Sequence, residues 1–317
     1  MIKHRSLALT AFGISLCAAA APALAGDGTN LYGMLPADTQ VMMVFDVADS
    51  RDSPLLLKGF DKLLAAQPDA KQKLTEIGID PVKDIDTLAF AGGGVKDMDE
   101  MSGDGPKSMV IVIEGRLPKD KLSTIPDAKK TVYKGVSIFT NKDTDAAFVG
   151  DRLFFTKKGK MKAQIDLAQG KAKAKSIAGS PKAKELRDLL ATTDTTADLW
   201  MAVAVPAKNQ KEISAEVPDL VVKSVSGGLN FTKDLAIAIR VNATSENGAK
   251  KATEMINAAM GQATSTMGTI GLGKAAKSIS IVQDKAAIKM GLTLTEAEIN
   301  ALMGLAGMGA GMGGGAP

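Results

Sequence analysis

The chain has 317 residues, 45% of them apolar and 23% charged, with 39 Lys plus Arg against 35 Asp plus Glu and a net charge of +4. Its one histidine and one cysteine, His4 and Cys17, both fall in a leader-like N-terminal stretch, so a chain cut after that stretch has no Ser-His-Asp or Cys-His chemistry, no His/Cys zinc site and no disulfide. Loss of Lys3 and Arg5 with the leader leaves the charge close to neutral, which argues against nucleic acid as an obligate partner.

Lys3 and Arg5 precede an apolar stretch from Leu7 to Ala21, then Pro22 and the small-x-small site Ala23-Leu24-Ala25 before Gly26. This pattern predicts a signal peptide over 1–25, cut between Ala25 and Gly26, and a periplasmic or secreted protein. Lipid anchoring at Cys17 is the alternative, although Leu16 stands where lipoprotein signals carry a small residue. No other run approaches the ~18 uninterrupted apolar residues of a spanning helix, so no transmembrane helix is expected after cleavage.

Residues 26–35 read as a flexible lead-in with Tyr32 and Leu35 as docking points. The first α+β half spans 36–170. Val41 to Val47 is a nearly continuous apolar strand, as expected where both faces are covered. Ser53-Pro54 starts a helix over 54–66, with Leu55, Leu56, Phe60, Leu63 and Leu64 at helical spacing. A second helical piece over 70–77 stops at Gly78.

Strands follow over 88–91 and 109–114, then a short helix over 118–124 and strands over 135–140 and 146–156 that turn at Gly150-Asp151. A basic helix over 160–168 closes the half. Residues 171–195 form a junction, with Lys171, Lys173 and Lys175 ahead of Ser180-Pro181 and a helix over 182–190.

The second half, 196–303, repeats the plan. Leu199 to Val205 matches the first strand, and 220–225 and 235–241 match the next pair. Ser245 caps a helix whose Ala249, Ala252, Met255, Ile256, Ala259, Met260 and Ala263 form an apolar stripe. Ile281 to Ile288 then parallels Phe148 to Phe155 in pattern, and Thr295 with Glu298, or Thr293 with Glu296, makes a capping box. The tail 304–317, nearly all Gly, Ala and Met, is expected to be disordered. The fold class is therefore α+β: two similar halves, each an antiparallel sheet with helices packed on one face.

Motifs for catalysis are missing. There is no Ser-x-x-Lys, no Gly-x-Ser-x-Gly elbow and no phosphate loop. Gly92-Gly93-Gly94 follows a strand but leads into acidic residues, so it reads as an inter-strand loop. Asp97, Asp99, Glu100 and Asp104 offer oxygen ligands but fail the calcium-loop spacing, because Met101 and Ser102 interrupt it. Met98, Met101, Met308 and Met312 form a sparse thioether set for Cu(I), while most methionines fall at core positions. No cofactor or metal is expected.

The most site-like group is Asp46, Asp49, Arg51 and Asp52 where the first strand meets the first helix. Such carboxylates can hold a ligand amine or share a proton, and they can equally cap the helix and pair locally. Lys157, Lys158, Lys160 and Lys162 offer weak contact with an anionic surface. Without aromatic partners they are not a base-stacking platform.

The run Leu35-Pro36-Ala37-Asp38-Thr39, the strand after it, the Ser53-Pro54 helix start and Ile79-Asp80-Pro81-Val82-Lys83-Asp84-Ile85-Asp86 together resemble uncharacterised exported bacterial proteins grouped under domains of unknown function. The resemblance implies a bacterial envelope location and carries over no functional residue. The expected function is non-enzymatic binding of an envelope protein or small ligand, or a structural role. The alternatives are carriage of an apolar ligand, with Ala249 to Ala263 leaving a groove, and a carboxylate/lysine hydrolase or lyase using Asp46, Asp49 and Asp52.

Overall fold

The structure, a computed structural model, describes residues 29–59, 78–96, 106–124, 128–217 and 219–302. The expected leader with Ala23, Ala25 and Gly26, Cys17, the helical stretches expected over 60–66 and 70–77, the acidic residues from Asp97 to Asp104, and Met308, Met312 and residues 304–317 lie outside these residues.

The apolar runs become strands: β1 (Thr39–Asp46), β2 (Ile85–Gly93), β3 (Ser108–Gly115), β4 (Lys129–Tyr133), β5 (Val136–Thr140), β6 (Thr144–Val149), β7 (Arg152–Lys157), β8 (Leu199–Ala204), β9 (Val222–Phe231), β10 (Leu235–Ala243), β11 (Ser280–Asp284) and β12 (Ala287–Leu294). They form one sheet in the order β11-β12-β10-β9-β8-β1-β2-β3-β7-β6-β5-β4. Every pairing is antiparallel. The fold is α+β as expected, but the strands form one continuous sheet with helices on both faces instead of a separate sheet in each of two halves, because β1 pairs with β8 from Val41↔Val203 to Phe45↔Leu199. Outward from this central pair the strands run β1-β2-β3-β7-β6 on one side and β8-β9-β10-β12-β11 on the other, with β5 and β4 added to the first.

Alternation along each strand divides the core between two faces. Met42, Val44, Ala89, Ala91, Val110, Val112, Phe154, Trp200 and Ala202 line the first face. They are covered by α2 (Met161–Ala168), α3 (Lys184–Leu190) and the segment 29–35. Met161 and Ile165, four residues apart and hence one above the other on α2, are fully buried. Leu31 and Leu35 share that spacing and burial, so the lead-in is ordered from Thr29 onward and helps to close the core. Pro36 bridges to Ser176 and fixes it against the junction segment.

The second face carries α4 (Ala207–Glu216), α5 (Glu246–Thr269), α6 (Gly273–Ser278) and the helical residues 54–59. Ser245 caps α5 as predicted, its hydroxyl accepting the Gly248 N–H at 3.1 Å. Burial along the predicted stripe is uneven: Ala249 and Ala252 are buried, whereas Met255 is 50% exposed. Several elements escaped the sequence reading, among them the short helix Val47–Ser50. β4 is a lysine-rich edge strand, α4 is mostly polar, and α6 is a single short turn-and-a-half.

Candidate functional site

Asp46 ends β1 and caps α1 (Val47–Ser50). Its Oδ1 accepts the Asp49 N–H at 3.1 Å, and its carbonyl accepts the Ser50 hydroxyl at 2.5 Å. One step beyond the Phe45↔Leu199 pair, antiparallel register sets Asp198 beside it, and the Asp46 N–H donates to the Asp198 carbonyl at 2.6 Å. The Asp198 carboxylate accepts the Phe231 N–H, and the Asp198 N–H donates to Asn230 Oδ1 at 3.2 Å.

Burial pushes the Asp46 carboxyl above the usual range, with the nearby charges of Asp49 and Asp198 adding to it and the hydrogen bond from Asp49 opposing it. Burial raises Asp198 likewise, helped by Asp49 and opposed by the bond from Phe231. Sequence reasoning missed Asp198. The signal was present in the matching of Leu199–Val205 to Val41–Val47, since antiparallel pairing of those strands brings the residue before one beside the end of the other.

The four predicted residues do not form one constellation. Arg51 serves β2, donating to the Ile85 carbonyl at 3.0 Å and to Asp86 Oδ1 at 2.8 Å. Asp52 is exposed, and the cap of the following helix is Ser53, whose hydroxyl accepts the Leu56 N–H at 3.4 Å. Asp46 and Asp49 contact each other, and both positions are engaged at the start of α1.

The same end of the first face carries further polar groups. Thr87 pairs in register with Asp46, is 2% exposed, and its hydroxyl has no hydrogen-bond partner among the described residues. Glu114 on β3, 5% exposed, accepts from Arg152 Nε on β7, and Arg152 Nη1 lies 3.5 Å from Met34 Sδ. Burial raises the Glu114 carboxyl, and the Arg152 guanidinium pulls it back down.

The glycine cluster is strand in its first two residues, and Gly94 follows the strand end. Gly92 and Gly93 belong to β2, and a Cβ on Gly93 would stand 2.2 Å from the Asp38 carbonyl oxygen, so glycine is required by the close approach of β1. Among the described residues no group of three or more His, Cys, Asp or Glu is placed to hold a metal ion.

The predicted lysines are distributed over several elements. Lys157 ends β7, Lys158 donates to the Lys142 carbonyl at 3.4 Å, and Lys160 is exposed at the start of α2. Lys162 on α2 lies 5.7 Å from the centroid of the Tyr133 ring, which Lys134 also approaches at 5.1 Å. No helix among the described residues is long and apolar enough to cross a membrane.

No protein-family model and no curated protein matches the chain. Two solved structures, crystal forms III and I of TP0453, share its fold at a TM-score of 0.50 each, with 9% and 11% sequence identity. The match to form III covers 86% of this chain and 96% of that chain, and the match to form I covers 85% and 94%. At such identity the likeness is one of fold.

Proposed function

We propose that the protein is an exported, non-enzymatic binding or structural component of the bacterial envelope, in keeping with its resemblance to uncharacterised exported proteins. One observation carries this reading: the carboxylates best placed for catalysis are committed to the backbone, Asp46 to the first turn of α1 and Asp198 to the Phe231 N–H. The signal-like leader supports the location. The test pairs localisation with chemistry. Recovery of a chain beginning at Gly26 in the periplasmic or secreted fraction supports export, whereas a diacylated Cys17 converts the reading to a tethered protein. A hydrolase or lyase activity that disappears in Asp46→Asn at unchanged melting temperature overturns the non-enzymatic part.

A second reading, carriage of an apolar ligand, is favoured by the partial exposure of Ile239 on β10, 37%, and of Met255 on α5, 50%. Mass spectrometry of lipid co-purifying with the protein tests it. The strand order repeated outward from β1 and β8 further supports descent of the two halves from one duplicated unit.

A further inference from the structure

On the second face, the 3-10 turn Lys119–Thr124, the β4–β5 hairpin and the β6–β7 turn border an open groove of about 460 Å³. Its lining includes Phe139, Phe148, Ser123, Ser137, Lys119 and Lys130. The volume lies within the range of roughly 300–1,000 Å³ typical of small-molecule sites.

Two features of the lining define the ligand class. Phe139 and Phe148 project on the same face as Leu153 and Phe155, so the groove has an aromatic floor continuous with the core beneath the turn. Each ring has an ammonium group beside it: Lys130 Nζ is 5.8 Å from the Phe139 centroid and Lys119 Nζ is 5.9 Å from the Phe148 centroid. An ammonium group thus stands at the margin of each ring, which disfavours a cationic guest, leaves room on the rings and supplies two donors for an anionic one.

The Lys119 ammonium also holds Asp151 at 2.6 Å, but the Asp151 side chain is 95% exposed, so solvent screens this pair and a ligand anion can replace it. The Asp120 carboxylate on the turn repels an anion nearby, which directs the head group to the Lys130 side. Ser123 donates its hydroxyl to the Asp120 carbonyl at 2.6 Å, so it supplies no donor to a carboxylate guest and the lysines carry that role.

We propose that this groove binds a small amphipathic carboxylate, its aromatic or branched apolar body lying on Phe139 and Phe148 and its carboxylate bound by Lys130 with help from Lys119. The inference rests on the binding reading above and specifies its ligand class.

The probe is 4-phenylbutyrate titrated into the full chain, followed by backbone amide chemical shifts, with 4-phenylbutanamide as the uncharged control. Saturable shifts at Ser123, Gly135, Ser137 and Gly150, with affinity reduced about fivefold by Lys130→Gln and by replacing the acid with the amide, are expected from one exposed charge pair. Equal binding of acid and amide overturns the anionic assignment. Shifts confined to other residues, or none, overturn the site. These failures leave the non-enzymatic reading standing, whereas an activity lost in Asp46→Asn removes that reading without touching the groove.

Discussion

Asp46 and Asp198 show how a side chain can be chosen for geometry against its own electrostatics. Each carboxylate is half-buried beside other acids, and each is retained because it accepts a backbone N–H that has few other partners. Asp46→Asn keeps a good capping residue and removes the charge. A carboxyl raised by folding incurs its penalty only once ionised, as pH rises from its unfolded value through the folded one. The variant is therefore expected to match or slightly exceed the wild-type melting temperature at pH 7 and to lose that advantage at pH 3, as thermal melts at the two values would show.

Glu114 and Arg152 make the opposite case, since a buried charge depends on one partner. Arg152→Met is expected to cost about 3 kcal/mol at neutral pH, at the low end for a buried pair because Arg152 is partly exposed. Glu114 bears less charge as pH falls through its raised value, so the deficit shrinks toward pH 4. Adding Glu114→Gln should recover most of the loss in urea titrations at pH 7.

At the scale of elements, the capping box after β12 was legible and its wider role was not. Glu298 Oε2 accepts the Thr295 N–H at 3.0 Å and the Thr295 hydroxyl at 2.7 Å, which selects the Thr295 register over Thr293 with Glu296. Its Oε1 accepts the Ala275 N–H of α6 at 2.7 Å, so one carboxylate joins α6 to the helical residues 296–302 that follow Thr295. These bonds, led by that from Ala275, hold the carboxyl down at about 2. A lowered carboxyl stabilises the fold fully above its unfolded value of about 4.3 and loses that contribution as pH falls toward 2. Glu298→Gln should thus melt lower than wild type at pH 7, and the gap should close between pH 5 and pH 2.

β4 teaches the converse lesson. Its run Lys129-Lys130-Thr131-Val132-Tyr133 has little buried pattern, because an edge strand is exposed on one side and lysines there discourage pairing with another chain. Binary pattern finds strands that bury a face, and this one buries almost none.

Across the whole molecule, the β1–β8 pair joins the strands on either side of it at the sheet centre, with Trp200 on β8 1% exposed between Val44 and Gly228 in register. Trp200 is the chain's one tryptophan and reports on that centre directly. Its fluorescence and far-UV circular dichroism should trace coincident urea transitions, because unfolding either half exposes the shared strands of the other. Separate midpoints would mean that the halves unfold independently. Trp200→Phe, which keeps most of the packing, should lower the common midpoint by a modest amount.

The sequence alone determined the α+β class, the apolar central strands, the Ser245 cap and the Gly150-Asp151 turn, because these rest on residues close together in the chain, and it narrowed the last capping box to two registers. It also places the one histidine and the one cysteine, His4 and Cys17, ahead of Gly26. Tertiary structure decided what depends on register between distant segments: a single sheet through β1 and β8, the meeting of Asp46 with Asp198, the separation of Arg51 and Asp52 from them, and the groove over Phe139 and Phe148. Pairing across more than 150 residues, as between β1 and β8, leaves no periodic mark within a local stretch, and even the nearer strands around the groove meet only when they lie side by side.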